Sequence, residues 1–229
     1  GIAPTAGDSG GPPRSGGAAQ KAVSQQPGGT ATGPLAWADI AAKERLERHV
    51  RALAERFAPR DYRHPENLAR AADYIEEEFR KSGGRLDVQP YDIDGTTYRN
   101  VIARFGPEAG PRVVVGAHYD AYKEFPGADD NASGVAGLIE MGHFFGRLGP
   151  ALESAVELVA LSTEEPPFFG RLDKMGSGVH ASALVRQAVP VTVAVILDQI
   201  GYFSQDEGSQ RFPTTALRER AGGTKGDFV

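Results

Sequence analysis

Apolar residues recur at helical spacing in the first half of the chain. In the segments Leu46–Phe57 and Leu68–Phe79 they return every three or four residues, which places them on one stripe of a helix. Ser133–Leu148 is also predicted to be helical, because Ser133 can cap its first turn and a Gly-Pro pair follows its end. A fourth helix is predicted over Gly176–Arg186.

Short apolar runs rich in β-branched residues lie between these helices. They predict five strands, at Leu86–Tyr91, Asn100–Phe105, Arg112–Gly116, Val156–Leu161 and Val191–Leu197. Short strands that alternate with longer helices predict an α/β sandwich around a largely parallel sheet.

Composition divides the chain into two parts. The first 34 residues contain nine Gly and five Pro and no aromatic residue. Such a segment buries too little apolar surface to offset its chain entropy, so residues 1–34 are predicted to be a flexible linker. Residues 35–229 are predicted to form one folded domain.

Charge and cysteine content exclude several functions. The net charge of −5 is mild and spread along the chain, which gives no basis for nucleic-acid binding. No apolar run approaches the roughly 18 residues that span a bilayer, so no membrane segment is predicted. The chain has no cysteine, which rules out disulfides and thiolate metal ligands. The oligomeric state and the compartment stay open.

Candidate metal ligands follow three of the predicted strands. His118 and Asp120 come directly after one strand, Glu164 and Glu165 after the next, and Asp198 after the last. Because ligands of open α/β sheets bind beyond the carboxyl ends of the strands, these side chains are expected to meet at one edge.

The loop Gly127–Gly134 adds a further candidate, Asp130. It contains two adjacent carboxylates, Asp129 and Asp130, which repel one another unless a positive charge lies nearby. Exposed acids in a loop that caps a helix are the structural alternative. The loop lacks the alternating oxygen ligands of a calcium EF-hand. Imidazole and carboxylate ligands instead suit zinc, whose catalytic sites keep one position open for water.

Taken in order, these motifs resemble the signature of the bacterial di-zinc aminopeptidases of the secreted leucyl-aminopeptidase type. The wider clan includes glutaminyl cyclases, glutamate carboxypeptidase and the transferrin receptor. The resemblance implies a three-layer α/β/α sandwich of the zinc-exopeptidase type, with a mixed, largely parallel central sheet. The residues that carry it are His118-Tyr119-Asp120, Gly127–Gly134, Glu164-Glu165 and Leu197-Asp198.

The resemblance also implies roles for these residues and two zinc ions per complete site. His118, Asp130 and Asp198 would hold one zinc, and Asp130 would bridge to the second. Glu165 would bind that second zinc. Glu164 would act as general base on a metal-bridging water.

Asp120 would hold the His118 ring through its other nitrogen, as is common for metal-bound histidine. One departure from the family pattern concerns a further histidine, which the family places well after the position of Asp198. None of the five histidines here follows Asp198. The chain is therefore expected to be truncated at its C-terminal end, with one zinc site lacking its histidine.

The resemblance implies an aminopeptidase that removes N-terminal residues from peptides. Two alternatives remain, a single-zinc acyltransferase like the glutaminyl cyclases and a binding protein that has lost catalysis on the same fold. The presence of Asp130 and both glutamates favours hydrolysis. The family resemblance also suggests a secreted, periplasmic or membrane-tethered protein.

Overall fold

The computed structural model describes residues 43–226, except 213 and 222. The predicted linker, residues 1–34, lies outside the described residues. Among the described helices, none has the length and apolar character to cross a membrane.

Five helices and five strands make up the described domain. The helices are α1 Lys43–Arg51, α2 Pro65–Lys81, α3 Gly134–Leu148, α4 Gly176–Arg186 and α5 Thr215–Ala221. The strands are β1 Arg85–Ile93, β2 Thr96–Phe105, β3 Arg112–His118, β4 Ala155–Leu161 and β5 Val191–Ile196. The five predicted strands and four predicted helices are therefore present, with ends that shift by a few residues. The hydrophobic pattern did not predict α5.

The strands form one mixed sheet in the order β1-β2-β4-β3-β5. β1 pairs with β2 and β2 with β4 in antiparallel fashion, whereas β4–β3 and β3–β5 are parallel. The α/β class and the mixed sheet are confirmed. The three strands of the parallel half, β4, β3 and β5, end at the same edge of the sheet. Ligands of open α/β sheets bind beyond such an edge.

Successive residues of β4 face two helical layers on opposite sides of the sheet. Val156, Leu158 and Ala160 of β4 face a large core formed with α1, α2 and α3. Val159 and Leu161 face the opposite side, where Leu184 of α4 packs against them. Since successive strand residues point to opposite faces, the helices cover both sides of the sheet.

The helix boundaries follow local sequence chemistry. Pro65 occupies the first turn of α2, where its missing N–H costs nothing, and Gly83 follows the helix with a φ of 80°. α1 continues into a single π-helical turn, Ala52–Arg56, that buries Leu53. The predicted cap at Ser133 is wrong, since its hydroxyl donates to the backbone oxygen of residue 129 and not to the first turn of α3.

A buried carboxylate in β4 joins α4 to the sheet. Glu157 is fully buried and accepts hydrogen bonds from Arg104 (2.6 Å) and Arg112 (2.8 Å). Its other oxygen lies 2.9 Å from Nε2 of His180, which α4 supplies. Burial would raise the pKa of Glu157, but His180 and Arg104 outweigh it and lower the pKa to about 2. These four residues are called the Glu157 network below.

Candidate metal centre

The predicted ligands meet in one pocket at the carboxyl ends of β3, β4 and β5. His118 is the last residue of β3, Glu164 and Glu165 follow β4, and Asp198 follows β5. All four line a pocket of about 300 Å³, together with Asp130 from the loop before α3. Residues that lie up to 80 positions apart (118 and 198) therefore share one edge of the sheet.

Asp120 orients the imidazole ring of His118. The Nδ1 atom of His118 lies 3.2 Å from the backbone oxygen of Asp120 and 3.3 Å from its Oδ1. Nε2 therefore faces the pocket, 3.2 Å from Asp130 Oδ1 and 3.6 Å from Asp198 Oδ1. Asp120 Oδ2 accepts a hydrogen bond from the backbone N–H of Glu165 (2.9 Å), so one buried carboxylate fixes both the ring and the loop after β4.

Three of these side chains converge closely enough to hold one cation. Ligand atoms of His118, Asp130 and Glu165 all lie within 4.8 Å of one another. Asp198 is not in this tight group, and its side chain is 51% exposed. Asp198 contacts this group through His118, since its Oδ1 lies 3.6 Å from His118 Nε2.

The cluster carries more negative charge than the protein neutralises. Burial lowers the pKa of His118, but the adjacent carboxylates of Asp120 and Asp130 outweigh it and raise the pKa to about 11. Burial, reinforced by the charges of Asp130 and Asp120, raises the pKa of Glu165 to about 7. Contact with His118 lowers the pKa of Asp130. A like-charged cluster raises some of its pKa values in this way until a cation balances it.

The donor set fits a divalent metal. Within the described structure, Asp120 Oδ1 and Asp130 Oδ1 are buried atoms without a hydrogen bond, although each lies 3.2–3.3 Å from a ring nitrogen of His118. Leaving a buried carboxylate oxygen unsatisfied is costly, and coordination to a cation satisfies it. One imidazole nitrogen with carboxylate oxygens, in a pocket open to solvent, suits zinc at a catalytic site.

The two adjacent glutamates have different surroundings. Glu164 Oε1 accepts a hydrogen bond from the backbone N–H of Ser177 (2.6 Å), and Oε2 accepts one from its hydroxyl (2.8 Å). Burial still raises the pKa of Glu164. The Glu165 carboxylate instead lies against His118 and Asp130. Glu164 is therefore held by neutral donors beside the tight ligand group, whereas Glu165 belongs to that group.

Arg60 is a site-forming residue that the sequence pattern did not reveal. Its fully buried guanidinium donates to four backbone oxygens, those of Leu53, Tyr119, Pro126 and Gly127. Burial lowers the pKa of Arg60 to about 10, so it remains protonated at neutral pH. It thus ties the residue after His118 to the loop that carries Asp130. No local motif marks Arg60, because most of its partners lie some 60 residues away.

Gly127 lets that loop approach Arg60. It has a φ of 58°, in the left-handed region that favours glycine. A Cβ atom here would lie 2.7 Å from the Cβ of Ala121 and 2.9 Å from Arg60 Nη2. Any other residue would push the loop away from the guanidinium.

Further polar contacts tie this loop to the segment after β5. Asn131 is fully buried, donates to the backbone oxygen of Leu197 (2.8 Å) and accepts from the backbone N–H of Gln199 (3.3 Å). The Gln199 side chain donates to Asp130 Oδ2 (3.1 Å). Asp129 is engaged elsewhere, since its carboxylate accepts a backbone N–H from the same segment (2.8 Å).

Comparison with known proteins identifies relatives of this chain. The chain is 44% identical over 185 residues to the uncharacterized protein YfbL of Escherichia coli K12. This alignment covers 77% of this chain and 55% of YfbL. It is 34% identical over 125 residues to the probable lipoprotein aminopeptidase LpqL of Mycobacterium tuberculosis, covering 52% of this chain and 23% of LpqL. The chain thus spans about half or less of the length of these curated relatives.

Among solved structures, the glutaminyl cyclase of Porphyromonas gingivalis superposes with a TM-score of 0.60 at 25% identity, covering 74% of this chain and 62% of the cyclase. The sequence pattern of peptidase family M28 matches residues 100–219 of the 229, which include every candidate ligand. A match over more than half of the chain establishes that this chain is a member of peptidase family M28.

Proposed function

We propose that this protein is a zinc-dependent aminopeptidase that releases N-terminal residues from peptides. The observation that carries the proposal is the convergence of His118, Asp130 and Glu165 within 4.8 Å, beside a separately held Glu164. Membership of family M28 supports a metallopeptidase. The name of the relative LpqL supports the narrower choice of an aminopeptidase.

Two zinc ions per complete site are part of the proposal. His118 Nε2, Asp130 and Asp198 would hold one zinc, while Asp130 and Glu165 would provide ligands for the other. Bound zinc polarises a substrate carbonyl and lowers the pKa of water. Asp120 would keep the imidazole of His118 in the tautomer that presents Nε2 to the metal, because it takes up Nδ1.

Glu164 is the proposed general base. Its carboxylate lines the pocket but is not in the tight ligand group, so it is free to exchange a proton. It would take a proton from the attacking water and deliver it to the nitrogen of the leaving peptide. The carbonyl carbon of the N-terminal residue gains the water oxygen, the C–N bond breaks, and the shortened peptide leaves with a neutral amine.

The test is product analysis by mass spectrometry on the full-length protein, with peptides that begin with leucine, lysine or glutamine. We expect stepwise loss of N-terminal residues that stops after chelation and returns when zinc is restored. Cleavage within the peptides, or unchanged activity after complete metal removal, would contradict the proposal.

A second candidate function is glutaminyl cyclisation. The likeness to the P. gingivalis cyclase favours it. The same experiment separates the two, because a cyclase converts the glutamine peptide by loss of ammonia and leaves every residue in place. A leucine peptide would then remain unchanged.

A further inference from the structure

Helix α4 begins directly against the carboxylate of Glu164. Both oxygens of Glu164 are occupied by a single residue, Ser177, which donates from its backbone N–H (2.6 Å) and its hydroxyl (2.8 Å). Such a two-point contact fixes the plane of the carboxylate as well as its position. Each oxygen accepts one hydrogen bond here and retains a second lone pair.

The start of α4 is itself fixed to the sheet. The N–H of Gly176 donates to the backbone oxygen of Ser162 (2.8 Å), and its own oxygen accepts from Asn100 Nδ2 (2.9 Å). Asn100 Oδ1 accepts in turn from the N–H of Ser162 (3.1 Å). A Cβ atom at position 176 would collide with Asn100 and with the backbone of Ser162. Ser177 therefore follows a residue that cannot shift without losing two hydrogen bonds.

One turn further along, α4 is fixed again. His180 lies 2.9 Å from the buried Glu157 of β4 and 3.3 Å from Gln89 of β1. Residues 177 and 180 are three apart, so they lie on neighbouring positions of one helix face. The helix thus has two attachments to the sheet within its first five residues.

We propose that Ser177 is a positioning residue, whose hydroxyl holds the Glu164 carboxylate in the orientation that proton transfer requires. The inference rests on the proposed function, since it takes Glu164 to be the general base. A glutamate side chain has three rotatable bonds, and misplacing a reacting group by about 1 Å can cost roughly 100-fold in rate. The backbone N–H alone leaves the carboxylate free to rotate about one hydrogen bond.

A purely structural reading is that Glu164 caps the N-terminus of α4. Removing such a cap typically costs about 1 kcal/mol of stability and has no specific effect on turnover. The two readings differ in what Ser177→Ala does to kcat and in whether the effect depends on Glu164.

The test uses the full-length, zinc-loaded protein and compares wild type with Ser177→Ala and Ser177→Thr, each also in a Glu164→Gln background. We expect Ser177→Ala to lower kcat by about 10- to 100-fold, with KM within about twofold and metal content unchanged. Ser177→Thr keeps the hydroxyl and should restore most of kcat. In the Glu164→Gln background, Ser177→Ala should lower kcat no further.

Equal turnover of wild type and Ser177→Ala would overturn the proposal, as would an equal loss in both backgrounds. If the wild-type protein hydrolyses no peptide, the proposed function has failed. Crystal structures of wild type and Ser177→Ala then decide the positioning role. A displaced Glu164 carboxylate in the variant supports it, and an unmoved one overturns it.

Discussion

Two groups of charged side chains lie on or next to β4, and the protein balances their charge to different extents. The Glu157 network surrounds one carboxylate with Arg104, Arg112 and His180, so its countercharge comes from the protein. At the end of the same strand, five carboxylates surround the single imidazole of His118. We call them the acidic cluster: Asp120, Asp130, Glu164, Glu165 and Asp198.

The pKa values reflect this difference. In the network, the pKa of Glu157 falls to about 2 despite complete burial. In the acidic cluster, the pKa of Glu165 rises to about 7. Arg60 lies near the cluster, but its donors go to backbone oxygens. A buried carboxylate with enough protein cations is thus part of the scaffold, and a cluster without them is suited to a metal.

The largest expected effect separates the two glutamates of the acidic cluster. Glu164→Gln should lower turnover by at least about 10²–10⁴-fold, because the amide keeps the contact with Ser177 but cannot accept a proton. Its metal content should stay close to that of wild type. Glu165→Gln removes a charged ligand and should release metal. Peptidase assays and metal analysis on both variants provide the measurement.

The reverse pattern, with metal lost from Glu164→Gln and kept by Glu165→Gln, would exchange the two assignments. Full activity in both variants would show that neither glutamate is needed for catalysis and would contradict both assignments. A wild-type protein without peptidase activity would favour a binding protein on this fold.

A second prediction concerns the Glu157 network, where stability should change and metal content should not. Glu157→Gln leaves Arg104, Arg112 and His180 without their shared countercharge, which typically costs about 3–5 kcal/mol. For a protein of this size, that corresponds to a fall in melting temperature of roughly 10 °C. Calorimetry and metal analysis would measure both quantities. Glu153→Gln, an exposed change just before β4, is the matched control and should stay within about 0.5 kcal/mol of wild type.

A third prediction follows from the sign of the pKa shift at Glu157. Its pKa is lowered in the folded state, so its contribution to stability is present above the ordinary value of 4.5 and is lost as the pH falls toward about 2. The interval corresponds to about 3 kcal/mol. Denaturant unfolding of wild type and Glu157→Gln across this range should show the difference between them shrinking with acid. A constant difference would mean that Glu157 is not the group that titrates.

The sequence predicted the acidic cluster better than the network, for a physical reason. Parallel strands deliver their ends to one edge, so the positions of His118, Glu165 and Asp198 relative to strand ends were sufficient to bring them together. Glu157 sits inside an apolar run that the pattern predicted correctly as a buried strand. Its partners come from β2, β3 and α4, and only the strand order places them beside it.

The sequence pattern did not predict the contacts of Arg60, or the contact of Ser177 with Glu164, for the same reason. Arg60 lies in a loop without hydrophobic periodicity. Its hydrogen-bond acceptors are backbone oxygens, which every residue type has, so the sequence does not indicate these contacts. Ser177 lies at the start of a predicted helix, but its contact with Glu164 depends on where α4 meets the loop after β4. The hydrophobic period gives helices and strands, but not the point at which the end of one element meets another.

The smallest expected effect tests whether closeness to the cluster is enough to make a carboxylate a ligand. Asp129 and Asp130 are adjacent, yet Asp129 accepts hydrogen bonds from the backbone N–H of Gly201 (2.8 Å) and the hydroxyl of Ser133 (3.3 Å). Asp129→Asn keeps an acceptor for both donors, so it should cost about 1 kcal/mol or less and leave metal content unchanged. Asp130→Asn, its matched partner, should release metal, since Asp130 belongs to the tight ligand group. Metal analysis after dialysis would compare the two variants, and equal metal loss would place Asp129 in the site as well.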